Sequence, residues 1–325
     1  MRWAVVPLLL VAACDSSSGG TLGDDDDANA AVGDAAAGDA PGTCGLRGGV
    51  RGLTPRTVMA GGLMRTYLVY LPAGDPLAAM PLVVVHHGYT MSGQLMYDIT
   101  GYKELADREH IALAFPDGQG GPNSAGAPWN VGANVCPSSA GPPPVAPGDD
   151  FALLDAIKAD VDADQCIDRD HVFATGFSMG GYFSHQIGCM RPDFRAVAPH
   201  SGGTHDLAGC TNARRPIIIF HGLGDALVPP SCADPNAFPV LGTKPSAAMW
   251  AAHNGCGTTT TTRTVTGGRC VHYEGCPADG QVELCTFDAM PHCWAGGAAT
   301  AGVYSCPLYA SATQLEWQFF KQYAW

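Results

Sequence analysis

An α/β fold built on a mostly parallel sheet with helices on both faces is the architecture this sequence predicts, and three observations carry it. Short, continuous apolar runs at residues 82–85, 111–115, 196–198 and 216–220, with a mostly apolar core strand at 282–287, recur between helical and loop segments. Continuous rather than alternating hydrophobicity marks strands buried on both faces, as in a parallel sheet covered by helices. From residue 82 onward, strand and helix signals alternate, which is the pattern of an α/β chain. The third observation is Gly176-Phe177-Ser178-Met179-Gly180, set between a β-branched and aromatic run at 171–174 and a helical stretch at 182–189. Gly-x-Ser-x-Gly at a strand-to-helix turn is a nucleophile elbow, whose sharp bend leaves the serine hydroxyl clear at the sheet edge.

Taken in order, the chain opens on a targeting segment. Arg2 precedes an apolar run over residues 3–13, too short for a permanent bilayer span. The run ends in Val11-Ala12-Ala13-Cys14. Small residues directly before a cysteine resemble a bacterial lipobox, in which the leader is cut and the thiol receives a diacylglycerol. Residues 1–14 are therefore read as a lipoprotein signal peptide with Cys14 as the lipidation site; an ordinary signal peptide is the alternative. Residues 15–43 hold seven aspartates, no Lys or Arg, and almost nothing large and apolar. Such a segment reads as a disordered acidic linker. Its Asp24–Asp27 run lacks the Gly and Glu spacing of a calcium loop and is a solvated spacer. One domain is expected over 44–325.

Within that domain, residues 57–60 and 64–71 predict a β-hairpin around Gly61-Gly62. A loop over 72–81 leads to the buried strand 82–85 and then to His86-His87-Gly88-Tyr89. A helix is expected over 97–109 and a strand over 111–115. Residues 118–148 form a long Gly-, Pro-, Ser- and Asn-rich loop. No helix follows its opening Gly118-Gln119-Gly120-Gly121, so a dinucleotide-binding motif is excluded. Loops of this length are more often functional than idle. Asp149-Asp150 then caps an amphipathic helix with Phe151, Leu154, Ile157 and Val161 on one face. The strand at 196–198 ends at His200, and the strand at 216–220 ends at His221-Gly222-Leu223-Gly224-Asp225. Residues 255–281 read as loops or a strand pair. The last core strand, 282–287, leads to Met290-Pro291-His292-Cys293-Trp294, and a helix over 310–323 closes the domain.

A formal net charge of −13 excludes nucleic acid and anionic membrane surfaces as electrostatic partners. Twelve cysteines follow Cys14. An even, high count behind an export signal predicts a disulfide-rich domain, with the pairing left open. No Cys-x-x-Cys or His-Glu-x-x-His occurs, so neither a metal nor a cofactor is expected.

A serine nucleophile needs a base, an acid that orients it, and an oxyanion hole. In open α/β sheets such groups gather beyond the carboxyl ends of strands. Asp225 is the expected acid and His292 the expected base, in the order Ser, Asp, His. Asp206 and Asp234 compete for the first role, and His253 and His272 for the second. The amides of Met179 and Tyr89 are the expected oxyanion donors. His86 and His87 are read as loop-shaping residues. Trp129 and Trp294 are candidate substrate contacts, with loop anchoring as the alternative for Trp129.

Several stretches together make the chain resemble a known family. They are Val83-Val84-Val85-His86-His87-Gly88, Phe115-Pro116-Asp117-Gly118, Trp129-Asn130, the block from Cys166 through Gly181, Asn254-Gly255-Cys256, Tyr273-Glu274-Gly275-Cys276, Cys285-Thr286-Phe287-Asp288 and His292-Cys293-Trp294. With these the sequence resembles exported esterases of carbohydrate esterase family 1, the feruloyl esterases and the polyhydroxybutyrate depolymerase-like group. The resemblance implies an α/β-hydrolase fold, a triad of Ser178, Asp225 and His292, no cofactor, and a monomer. It implies a serine carboxylic ester hydrolase that releases hydroxycinnamic acids from plant cell-wall polysaccharide. Polyhydroxybutyrate depolymerase and acetylxylan esterase are the enzymatic alternatives; an inactive carbohydrate-binding lipoprotein is the alternative of another class. The expected location is outside the cytoplasm, extracellular or at the bacterial envelope through the lipid on Cys14. The lipobox, the acidic linker and an insert at 138–147 depart from the family pattern.

Overall fold

Alternate residues of strand β3 (Met80–His86) enter two different apolar layers: Leu82 and Val84 face one, Val83 and Val85 the other. That division is the physical basis of the whole domain, because a strand buried on both faces requires a helical layer on each side. The computed structural model describes residues 44–119, 128–131, 148–204, 207–230, 243–300 and 302–323. The leader, Cys14, the acidic linker, the insert at 138–147, Cys136, Cys232, Asp206 and Asp234 lie outside the described residues.

A ten-stranded sheet forms the centre. Its parallel core runs β4 (Ala112–Pro116), β3, β5 (Ile167–Phe177), β6 (Ala196–His200), β7 (Ile217–Gly222) and β10 (Val282–Phe287). Antiparallel hairpins flank it, β1 (Gly52–Ala60) with β2 (Leu63–Leu71) at one side, β8 (Thr260–Val265) with β9 (Gly268–Tyr273) at the other. Gly61 and Gly62 have φ of 56° and 79° between β1 and β2. Positive φ at both central residues is what a two-residue type I′ turn demands. Helices α3 (Asp150–Asp164), α4 (Met179–Met190) and α5 (Thr243–Asn254) cover one face. Helices α1 (Gly93–Thr100), α2 (Tyr102–Glu109) and α6 (Ala312–Phe320) cover the other. The α/β architecture with helices on both faces is therefore as expected.

The details depart from expectation where local signals are weak. The single helix expected over 97–109 is two, broken at Gly101 with φ 69°. The first begins earlier, where Ser92 Oγ caps the Leu95 amide at 3.3 Å. Helix α6 starts later than expected, at Ala312, because Ser311 Oγ accepts from the Gln314 amide at 3.3 Å. Residues 255–281 include the β8–β9 pair, and α5 is an addition.

All ten cysteines among the described residues are paired: Cys44–Cys166, Cys189–Cys210, Cys256–Cys276, Cys270–Cys285 and Cys293–Cys306. This fits an oxidising compartment outside the cytoplasm.

One buried acid crosses the α1–α2–α6 layer. Glu316 is inaccessible to solvent and accepts the Tyr102 hydroxyl at 2.5 Å. Burial pushes its carboxyl up to about 8, and the Tyr102 hydrogen bond opposes the rise. A proton held more tightly by the folded chain than by the unfolded one stabilises the fold below the unfolded pKa, and that contribution is lost as pH climbs toward the folded value. Wild-type stability should therefore fall between about pH 5 and pH 8. Glu316→Gln should flatten the slope, which urea midpoints of both proteins at the two pH values will show.

Candidate active site

The chain folds sharply between β5 and α4, and the bend rests on Ser178. Its backbone sits at φ 56°, ψ −115°, a conformation that L-residues rarely adopt. The Ser178 amide donates to the His200 carbonyl at 2.8 Å, and its carbonyl accepts from Tyr182 at 3.1 Å. The glycines around it serve close approach rather than positive φ. A Cβ on Gly176 would lie 2.4 Å from the Gly180 carbonyl oxygen, one on Gly180 2.3 Å from that of His86, and one on Gly181 2.6 Å from that of His200. The elbow is thus a knot of backbones from β3, β5, β6 and α4 that excludes side chains, while the serine alone carries the unusual dihedral.

Asp225 and His292 are brought together by the turns after β7 and β10. Leu223 donates to the Phe287 carbonyl at 2.8 Å and Gly224 to that of Met290 at 3.0 Å. A Cβ on Gly222 would sit 2.1 Å from the Met290 oxygen, so the two turns lie backbone to backbone. His292 Nδ1 then meets Asp225 Oδ2 at 2.6 Å. The other carboxylate oxygen accepts from the amides of Leu227 and Val228 at 2.9 and 2.8 Å. His221 Nε2 adds a contact to Oδ2 at 3.3 Å while facing the Val228 carbonyl at 2.7 Å. Burial alone would raise the Asp225 carboxyl, but the hydrogen bonds from His221, His292 and Val228 hold it well below the usual carboxylate range. It is a fixed negative charge under the His292 ring.

The His292 ring packs against Phe177, the residue before Ser178, with centroids 4.6 Å apart. The described hydrogen bonds do not include one from Ser178 Oγ to His292; such contacts commonly tighten only in the Michaelis complex. Met179 opens α4, whose first amides have no acceptor within the helix. Gly88, next to Tyr89, abuts the serine: a Cβ there would be 3.1 Å from Ser178 Cβ. Tyr89 itself is 44% exposed.

His200 and His86, at the ends of β6 and β3, are packed into the core. His200 is buried, stacks on Trp294 at 4.7 Å, and accepts the Ala295 amide at Nε2 at 3.2 Å. Burial and the neighbouring imidazoles push it well below the ordinary histidine value, so it stays neutral. His86 is likewise pushed down to about 3 by burial and donates to the Thr175 carbonyl at 2.9 Å. His253 contacts the Asn212 carbonyl at 3.0 Å, and His272 lies on β9.

Two expectations are corrected. Trp129 and Trp294, proposed from sequence as substrate contacts, are both 0% exposed. Trp129 stacks on Phe183 and donates its indole N–H to the His87 carbonyl at 2.8 Å. Trp294 stacks on His200 and donates to Thr313 Oγ1 at 3.1 Å. Each satisfies its polar atom inside the protein, so each anchors a loop. Sequence reasoning also missed His221 as a second partner of Asp225. Its position four residues before that acid, across a Gly-rich turn, was the available signal. The cluster Cys270, Glu283 and Cys285 has metal-ligating residue types, but its two sulfurs are joined to one another.

A mostly parallel sheet carrying a strained serine at a strand–helix elbow, with an Asp–His pair on later strand ends, defines an α/β-hydrolase. Residues 65–234 match the family model described as esterase PHB depolymerase, and the chain belongs to that family. It is similar to feruloyl esterase B of Piromyces equi, 27% identical over 274 residues that cover 80% of this chain and 45% of that protein. It is also similar to feruloyl esterase C of Emericella nidulans, 42% identical over 85 residues, 25% of this chain and 31% of that one. The chain thus spans less than half the length of these relatives. Among solved structures it resembles the acetyl xylan esterase from Aspergillus awamori, with a TM-score of 0.58 and 14% identity over 83% of this chain and 99% of the other; that likeness is one of fold.

The elbow makes a direct prediction. Gly180→Ala places a methyl group 2.3 Å from the His86 carbonyl oxygen. Overpacking of this kind costs about 1–3 kcal/mol. The variant should melt at a lower temperature in calorimetry, since β3 must shift away from the serine.

Proposed function

We propose that this chain is an exported serine carboxylic ester hydrolase that releases hydroxycinnamoyl groups esterified to polysaccharide. The observation that carries the reading is the 2.6 Å bond between His292 Nδ1 and the charged Asp225 beside the strained Ser178. With its Nδ1 proton held by Asp225, His292 offers Nε2 as a base. Ser178 Oγ attacks the ester carbonyl while His292 takes its proton. The tetrahedral oxyanion rests on the amides of Met179 and Tyr89, each such donor being worth about 10²–10³ in kcat. Collapse expels the alcohol, protonated by His292, and water then cleaves the acyl-enzyme by the same path. Asp225 stays ionised throughout and stabilises the imidazolium.

Support for an aromatic acyl group comes from exposed apolar side chains on the segments that carry the site. Tyr89 follows the proposed oxyanion loop, Leu227 follows Asp225, and Val303 precedes Tyr304, whose ring lies 6.3 Å from Phe177. The names of the feruloyl esterase relatives point the same way. The family description favours a second reading, hydrolysis of 3-hydroxyalkanoate polyesters by the same residues.

A fluorophosphonate should label the protein at Ser178, and Ser178→Ala should abolish labelling and lower kcat by about 10⁴-fold or more. Unlabelled wild-type protein would mean an inactive, carbohydrate-binding fold. Side-by-side turnover of methyl ferulate, acetylated xylan and polyhydroxybutyrate identifies the substrate class, with methyl ferulate expected to lead.

No helix among the described residues is long and apolar enough to cross a membrane. We propose that attachment is through lipid on Cys14, with residues 15–43 as the tether. In a bacterial host Cys14→Ala should shift esterase activity from the membrane fraction to the soluble one.

A further inference from the structure

Gly88 begins a tight turn whose geometry bears on the nucleophile. Its carbonyl accepts from the Met91 amide at 3.0 Å, and Thr90, the third residue, has φ 65°. Positive φ at that position is the mark of a type II turn. The same carbonyl accepts a second hydrogen bond, from His87 Nδ1 at 2.7 Å. The Gly88–Tyr89 peptide is planar and trans, so its N–H points opposite to its C=O. Whatever pins the Gly88 oxygen therefore aims the Tyr89 amide. Gly88 also lies against Ser178, with a hypothetical Cβ 3.1 Å from the serine Cβ, so this peptide flanks the nucleophile.

Building on the assignment of the Tyr89 amide as an oxyanion donor, we propose that His87 is the residue that aims it. His87 touches no substrate atom and acts through the peptide beside it, which makes it a positioning residue. Its ring is fully committed. The Gly118 amide donates to Nε2 at 2.8 Å, which makes Nε2 the acceptor and leaves the proton on Nδ1, facing Gly88. Burial lowers the affinity of the ring for a second proton, so this tautomer persists. Trp129 completes the mount. Its indole N–H holds the His87 carbonyl at 2.8 Å, and its ring lies 5.0 Å from the imidazole. The histidine is thus gripped at both ring nitrogens and at its backbone oxygen, which a merely space-filling residue does not require.

The test separates aim from bulk. His87→Asn keeps a side-chain N–H near the Nδ1 position and gives up the acceptor for Gly118. His87→Gln keeps an acceptor near Nε2 but has no donor within reach of the Gly88 carbonyl. With methyl ferulate, His87→Gln should lose about 10–100-fold in kcat with KM within about twofold, part of the value of one oxyanion donor. Its affinity for a boronic acid transition-state analogue should fall in parallel, while His87→Asn stays within about threefold of wild type. Wild-type kcat in His87→Gln, or equal losses in both variants, would overturn the proposal. If His87→Gln does not fold by near-ultraviolet circular dichroism, His87→Asn decides alone: a rate within about threefold supports the role, and a loss of about tenfold or more overturns it. Failure of the serine mechanism itself shows differently, as wild-type protein that fluorophosphonate does not label.

Discussion

The site depends on one backbone constraint: Ser178 is held at positive φ in the turn from β5 to α4. A residue in so sparse a region costs about 1–3 kcal/mol and persists only where its surroundings over-determine it. Here the surroundings are main chain. The His200 carbonyl takes the serine amide, and Gly202 passes so close that a Cβ on it would lie 2.9 Å from the Ser178 oxygen. Gly176, Gly180 and Gly181 do the same against β3 and β6. The parallel core of the sheet, buried on both faces, keeps those backbones from relaxing.

Electrostatics divides labour among the histidines at the strand ends. Asp225 is buried yet ionised because donors surround it: two amides on one oxygen, His292 and His221 on the other. A buried charge with this many partners escapes most of the desolvation penalty and becomes a stable counter-charge for the proposed base. His200, nearby, is buried among Trp294, Phe220 and Phe177 and remains neutral. His87 braces the loop after β3 and His86 ties the end of that strand to β5, each with one ring nitrogen on a carbonyl. The same side chain thus serves as charge partner, core ring and strut, depending only on what surrounds it.

Much of this was legible in the sequence. The elbow announces itself because its glycines, serine, strand and helix are contiguous; Asp225 follows an unbroken apolar run, and His292 follows one interrupted by Glu283 and Thr286. What local pattern conceals is which way a side chain turns. Trp129 on a Gly-rich loop reads as exposed, yet Phe183 from α4 stacks beneath it, a partner 54 positions further along the chain. Helix α5 carries little helical signal because its segment, Thr243–Asn254, is small and polar apart from residues such as Ala247, Trp250 and Ala251, which the sheet buries. Helices α1 and α2 read as one in the sequence because Gly101 is a single residue in an otherwise helical run, and only its positive φ marks the break. The partners of His87, at Gly118 and Trp129, belong to a different loop and carry no spacing signal.

The disulfides near the C-terminus have a consequence for when the protein becomes competent. His292 adjoins Cys293, whose bond to Cys306 closes a loop of sequence separation 13, and β10 behind it is tied to β9 by Cys270–Cys285, separation 15. In the chain-entropy account, closing a loop of that length is worth about 3 kcal/mol. In a reducing compartment neither clasp exists, and the segment bearing the imidazole lacks both closures. Oxidation is then a maturation step. Full closure of the segment that carries His292 therefore requires an oxidising environment in which both bonds can form.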